Sequence, residues 1–173
     1  MNFNFFNKFY INILLASPFI SSFLFCIIDS TPLYFWQLDY FKSNTGFMVL
    51  YCWLCCDYKK IRPLILLIFG VLIDLFNNIF FGFSSVFLLS IFLIQRKDNE
   101  NLYCKKFVFT WLRFAFVFFI YNLLNFVFHD LFLDYIKFDI VEFVITILIT
   151  VATFPIFFML VNKLNEKIKF YNE

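Results

Sequence analysis

The chain has 173 residues, 63% of them hydrophobic and 32 of them phenylalanine, with a mean hydropathy of +0.85 and a formal net charge of +2. Only 15% are charged, where a soluble domain carries roughly a quarter, and those charges fall between long apolar runs. This excludes an ordinary soluble domain. It leaves an all-α, polytopic integral membrane bundle, because a spanning helix needs about 20 mostly apolar residues and several such runs fit. The phenylalanines read as lipid-facing filler from an AT-rich genome rather than as a ligand cage. Alanine occurs only at Ala16, Ala115 and Ala152, and lipid accepts any apolar side chain.

Six spans are expected in one transmembrane domain, over 9–28, 44–58, 61–78, 82–95, 107–128 and 140–161. The first does not read as a signal peptide. One lysine precedes it, no small-x-small cleavage site follows, and the "FLF" before Cys26 lacks the small residues of a lipoprotein site, so the segment is expected to stay attached. The stretch 29–43, "DSTPLYFWQLDYFKS", reads as an interfacial segment with Tyr34, Trp36 and Tyr40 at headgroup level. The second span is short. The third and fourth, separated by "NNIF", form a tight antiparallel hairpin. With this count Lys8, Lys59, Lys60, Arg62, Arg96, Lys97, Lys105, Lys106, Arg113, Lys163, Lys167 and Lys169 fall on one side, and only Lys42 and Lys137 on the other. Basic residues stay on the cytoplasmic side, so both termini are expected there. The basic residues are thereby explained by topology, with no stripe for nucleic acid.

Among residues that could carry chemistry, Asp74 stands out. It lies 13 residues beyond the start of its span, about 20 Å up at ~1.5 Å per residue. A carboxylate at that depth costs at least ~2.5 kcal/mol on the lenient insertion scale, so it should face protein or water. Two readings stand: an anchor that locks packing by accepting hydrogen bonds, or a group in transport or proton relay. Asn122, Asn125 and His129 share one face of the fifth span and, with Asp74, make a candidate intramembrane polar cluster. Glu142, Thr146, Thr150 and Thr153 lie near one face of the sixth, and interhelical hydrogen bonding is the expected role of both stripes. Gly70 sits one turn before Asp74 and would admit a close neighbour, while Gly82 closes the turn after it. Asn77 and Asn78 form an outward turn that a partner would meet. Cys52 and Cys55 make a CxxC, but in an apolar span without a second pair they read as small hydrophobes rather than a metal or redox site. His129, Asp130, Asp134 and Asp139 read as a solvated acidic loop before a cation site. No metal, cofactor or catalytic nucleophile–base pair is expected.

The stretch "GVLIDLFNNIFFG", with Gly70, Asp74 and Gly82, resembles the third-helix signature of the MreD family, the rod shape-determining membrane proteins of bacteria. Tyr51 and Trp53 at the end of the preceding helix, Pro63 opening the signature helix, and Pro155 with Lys163 in the last helix are similar too. The chain departs from the family pattern at Phe80 and Phe81. The resemblance implies a non-enzymatic component of the cell-wall elongation machinery in the bacterial inner membrane. Its partners would be an MreC-like membrane protein, a glycosyltransferase and a transpeptidase, and MreB-type filaments, with membrane lipid around the bundle. The alternative class is the substrate-binding membrane component of an energy-coupling-factor vitamin importer, which would make Asp74, Asn122 and His129 part of a ligand pocket.

Overall fold

The computed structural model describes residues 3–30, 44–77, 80–98, 107–132 and 140–172, with only the backbone course of 3–12, 30, 98, 129–132, 140, 142, 171 and 172. Six α-helices follow one another: α1 (Phe3–Ser30), α2 (Thr45–Asp57), α3 (Pro63–Asn77), α4 (Phe83–Asp98), α5 (Phe107–Phe132) and α6 (Ile140–Asn172). A single 3-10 turn, Tyr58–Lys60, follows α2, and no strand occurs among the described residues. The architecture is all-α. Helix is the state expected of such apolar runs, since it satisfies each backbone group within its own segment. Of the interfacial segment expected at 29–43, residues 29 and 30 belong to α1, while 31–43, the acidic positions Asp134 and Asp139, and Asn78 lie outside the described residues.

Helix lengths divide the bundle in two. The helices α2, α3 and α4 have 13, 15 and 16 residues, which is about 20–24 Å of rise. The helices α1, α5 and α6 have 28, 26 and 33. Two segments, Phe107–Phe128 and Phe143–Phe170, are long and apolar enough to cross a membrane, and Ile13–Asp29 and Pro63–Asn77 are shorter apolar helices. The last helix continues 11 residues beyond the hydropathy limit of 161. Its extension carries Lys163, Lys167 and Lys169, which lower hydropathy without breaking helical hydrogen bonding.

The short α2 is the core of the molecule. Every residue from Gly46 to Leu54 is buried, as expected of a helix that is apolar all round. It packs against α1, α3, α4 and α6. The fifth helix meets it through rings: Phe47 stacks on Tyr121 with centroids 4.6 Å apart, and Tyr51 lies 5.1 Å from Phe114. Aromatic pairs at such spacings add to simple burial. The outside is the reverse. Leu64, Val86, Phe109, Phe116, Leu148 and Met159 each leave well over half of their surface uncovered.

Pairings along α2 fix the directions of its neighbours. Met48 meets Thr153 and Cys56 meets Asn162, so α6 runs parallel to α2. Phe47 meets Phe87 and Cys55 accepts from Gln95, so α4 does too. Thr45 meets Asp29 and Trp53 meets Ser21, so α1 is antiparallel. The end of the bundle where α2 and α4 begin therefore holds Asp29 and Asp74. The opposite end gathers Lys59, Lys60, Arg96, Lys97, Lys163 and Lys167.

Pro155 lies inside α6. Proline has no N–H, so the carbonyl four residues earlier loses its partner. That carbonyl belongs to Val151, and the indole Nε1 of Trp111 donates to it at 3.0 Å. A side chain of α5 thus repairs the defect in α6 and ties the two helices. Trp111→Phe is expected to destabilise the protein by about 1–3 kcal/mol, the cost of a buried unsatisfied carbonyl. In the Pro155→Ala background, where residue 155 regains its N–H, the same substitution is expected to cost clearly less. A double-mutant cycle on thermal unfolding in detergent checks this; equal costs in both backgrounds would show that the bond does not serve the proline.

Candidate functional site

The first N–H groups of a helix have no partner within it. Where a helix start is buried, those groups need acceptors from elsewhere in the protein. At the start of α4 both oxygens of Asp74 supply them. Oδ2 accepts from the Gly82 N–H at 2.8 Å and Oδ1 from the Ser84 N–H at 3.0 Å. The carboxyl group also sits at the positive end of the helix dipole, which favours its ionised form. Asp74 is itself fully buried on α3, so one side chain caps α4 and pins it to α3.

The glycines on either side serve this joint for different reasons. A Cβ built on Gly70 would lie 2.5 Å from the backbone nitrogen of Ser85. Only hydrogen fits there, and the helices can approach closely enough for Asp74 to reach. The Ser85 hydroxyl then donates back to the Leu67 carbonyl at 3.0 Å. Gly82 has open space around its Cβ position but a φ of +89°, a conformation that side chains resist.

The network continues into α5 through a residue the polar stripe does not contain. The Ser84 hydroxyl and the Tyr121 hydroxyl are 2.7 Å apart, and Tyr121 is fully buried. Asn122 is adjacent in sequence but turned about 100° round the helix. Its Nδ2 donates to the Phe118 carbonyl at 2.8 Å. Asn125 is half-buried, and only the backbone of His129 is described. The structure therefore joins Asp74, Gly82, Ser84 and Tyr121, and does not bring Asn122 into bonding with Asp74. Thr150 likewise bonds to its own helix, at the Thr146 carbonyl, while the Thr153 hydroxyl bonds the Ile149 carbonyl and also lies 3.9 Å from Met48 Sδ of α2, an interhelical contact of the kind expected of this stripe. Back-bonding of this kind is available to a hydroxyl or amide without any partner helix. The amide of Asn77, expected on an outward turn, has both its oxygen and its nitrogen buried.

A second joint of the same design lies between α1 and α2. Asp29 Oδ1 accepts from the Thr45 N–H at 2.9 Å and the Thr45 hydroxyl at 2.5 Å, and Oδ2 from the Gly46 N–H at 2.6 Å. A Cβ on Gly46 would stand 2.9 Å from Cys26 Sγ and 3.1 Å from Asp29 Oδ2. All three glycines of the chain thus sit at these two joints. The sequence reading places Asp29 in a connecting segment and misses this. The available signal was a carboxylate closing one apolar run and a Thr-Gly pair opening the next.

At the other end, Lys60 donates to Asn165 Oδ1 and lies 4.0 Å from Asp57 Oδ2. Burial lowers the pKa of this ammonium below the ordinary lysine value, and the Asp57 carboxylate opposes the shift. Cys52 is buried in α2, and among the described residues no group of three or more His, Cys, Asp or Glu could hold a metal ion. Compared with family models, curated proteins and solved structures, the chain matches none.

The two glycine mechanisms are separable. Gly70→Ala is expected to destabilise the protein severely, by ~3 kcal/mol or beyond, because helix backbones must separate. Gly82→Ala is expected to cost about 1–2 kcal/mol, the strain of the backbone alone. Unfolding midpoints of the purified variants in one detergent give the order. Equal losses, or a larger loss at Gly82, would contradict the assignment.

Proposed function

We propose that the chain is a multi-pass scaffold of the bacterial inner membrane, with six membrane segments and its basic end in the cytoplasm, serving the cell-wall elongation machinery in the manner of MreD. The positive-inside rule supports that orientation. Basic residues that follow α2, close α4 and extend α6 gather at one end of the bundle. The scaffold would bind an MreC-like membrane protein and link MreB-type filaments to a peptidoglycan glycosyltransferase and transpeptidase. No chemistry is assigned to it.

One observation carries this choice: the residues of the Gly70–Asp74–Gly82 signature form a closed joint. Both oxygens of Asp74 are taken by the backbone of α4, so the signature's one ionisable group works as a fastening. The importer alternative needs Asp74 and Asn122 open to a ligand, and each already makes the internal bonds given above. An anchor of this kind suits a protein that presents a fixed surface.

The test is purification of the tagged full chain from its own membranes in gentle detergent, with bound proteins identified by mass spectrometry. An MreC-like protein with wall-synthesis enzymes is the expected result. Paired ATPases and a coupling membrane protein would overturn the reading. Asp74→Leu is expected to abolish recovery of the partners, and Asp74→Asn, which keeps one acceptor oxygen, to reduce it less. Wild-type recovery with a normally inserted Asp74→Leu protein would remove the anchor from the argument.

A further inference from the structure

A groove of about 260 Å³ opens between α1 and α6, with α2 as its floor. Phe25 of α1, Val49 of α2, and Phe157 and Leu160 of α6 form its walls. Its inner polar atom is already engaged: the Ser21 hydroxyl donates to the Ser17 carbonyl at 2.7 Å and accepts from Trp53 Nε1 at 2.9 Å. A polar solute would therefore find no waiting partner on these walls, whereas a hydrocarbon chain needs none.

The charge lies at one end. Lys163 and Lys167 line the groove one helical turn apart on α6, and both are exposed. Neither forms an ion pair among the described residues. The neighbouring acid, Glu166, accepts instead from Asn162 at 2.9 Å, on another face of the helix. Two uncompensated cations thus stand where an apolar groove meets the basic end of the bundle. Long basic side chains extend along apolar surface to reach the headgroup level, and basic pockets between membrane helices on the cytoplasmic side suit anionic headgroups.

We propose that this groove binds one anionic phospholipid, its phosphate between Lys163 and Lys167 and an acyl chain along Phe25, Val49, Phe157 and Leu160. The site is remote from the Asp74 joint. It requires a bilayer around the bundle, but it does not require the scaffold role, so either can fail without the other.

The experiment titrates the purified full chain in a neutral detergent with dioleoylphosphatidylglycerol or dioleoylphosphatidylcholine, and counts bound lipid by native mass spectrometry. The expected result is one tightly retained phosphatidylglycerol and much weaker phosphatidylcholine. Neutralising one lysine should weaken binding about fivefold, and Lys163→Gln with Lys167→Gln on the order of twentyfold. Lys59→Gln with Lys97→Gln removes the same charge elsewhere at this end and should leave binding near wild type. Leu160→Trp, which fills the groove and keeps both lysines, should also lose the lipid. Equal retention of the two lipids would overturn the site. So would equal losses in the two double variants, or displacement of the lipid by millimolar inorganic phosphate.

Discussion

A helix that begins away from water must find acceptors for its first N–H groups inside the protein. The rest of this structure depends on how that need is met for α2 and α4. Neither helix carries its own cap in the described residues: Asn44, preceding α2, makes no side-chain capping bond. The acceptors are Asp29 and Asp74, each on the helix before. A local requirement of secondary structure thereby becomes a tertiary contact, and each of the two hairpins is fixed in register by one carboxylate. Placing a charge there is unfavourable taken alone. It becomes tolerable because the helix dipole and two backbone donors face it.

Close approach is the second half of the same device. A carboxylate has a short reach, so the two helix backbones must nearly touch, and side chains at the crossing must vanish. Gly70 opposite Ser85 and Gly46 opposite Cys26 meet that condition. Contact between small residues and a few interhelical hydrogen bonds can hold helices in place even where no water drives their apolar faces together. The ends of α2 and α4 secured in this way let the middle of α2 be filled by bulky rings. Phe47, Tyr51 and Trp53 are all fully buried, and Tyr121 closes the core by stacking on Phe47 while its hydroxyl turns to Ser84.

The helical character of the chain was legible because apolar runs of this length have few alternatives, and Asp74 was legible because an ionisable group there is out of place. What it touches was not. A stripe of Asn122, Asn125 and His129 marks one face of α5, but hydropathy does not say which face turns inward; Tyr121, one residue away, is the one that reaches the network. Asn122 and the threonines of α6 looked like interhelical contacts because they are polar. Asn122 and Thr150 bond back to their own helices, an option every such side chain carries and no pattern reveals, whereas Thr153 does so and also reaches Met48 of α2. Asp29 was hidden by a boundary: hydropathy ends the first run at residue 28, while the helix continues to Ser30 and brings the carboxylate under α2.

Polarity in this molecule is sorted by end rather than by face. The anionic groups of the described core are turned inward at the end where α2 and α4 begin, consumed by backbone donors. The cations lie at the opposite end, and Lys163 and Lys167 point outward. Inward acids hold the helices to one another and leave nothing for a ligand. Lys163 and Lys167 form no ion pair among the described residues and face what surrounds the protein. The Trp111 bond to Val151 follows the same economy, since a carbonyl exposed by Pro155 would otherwise be an unpaired polar group within the bundle. The two inward acids are therefore structural, and it is the groove between α1 and α6 that joins the apolar flank to the basic end.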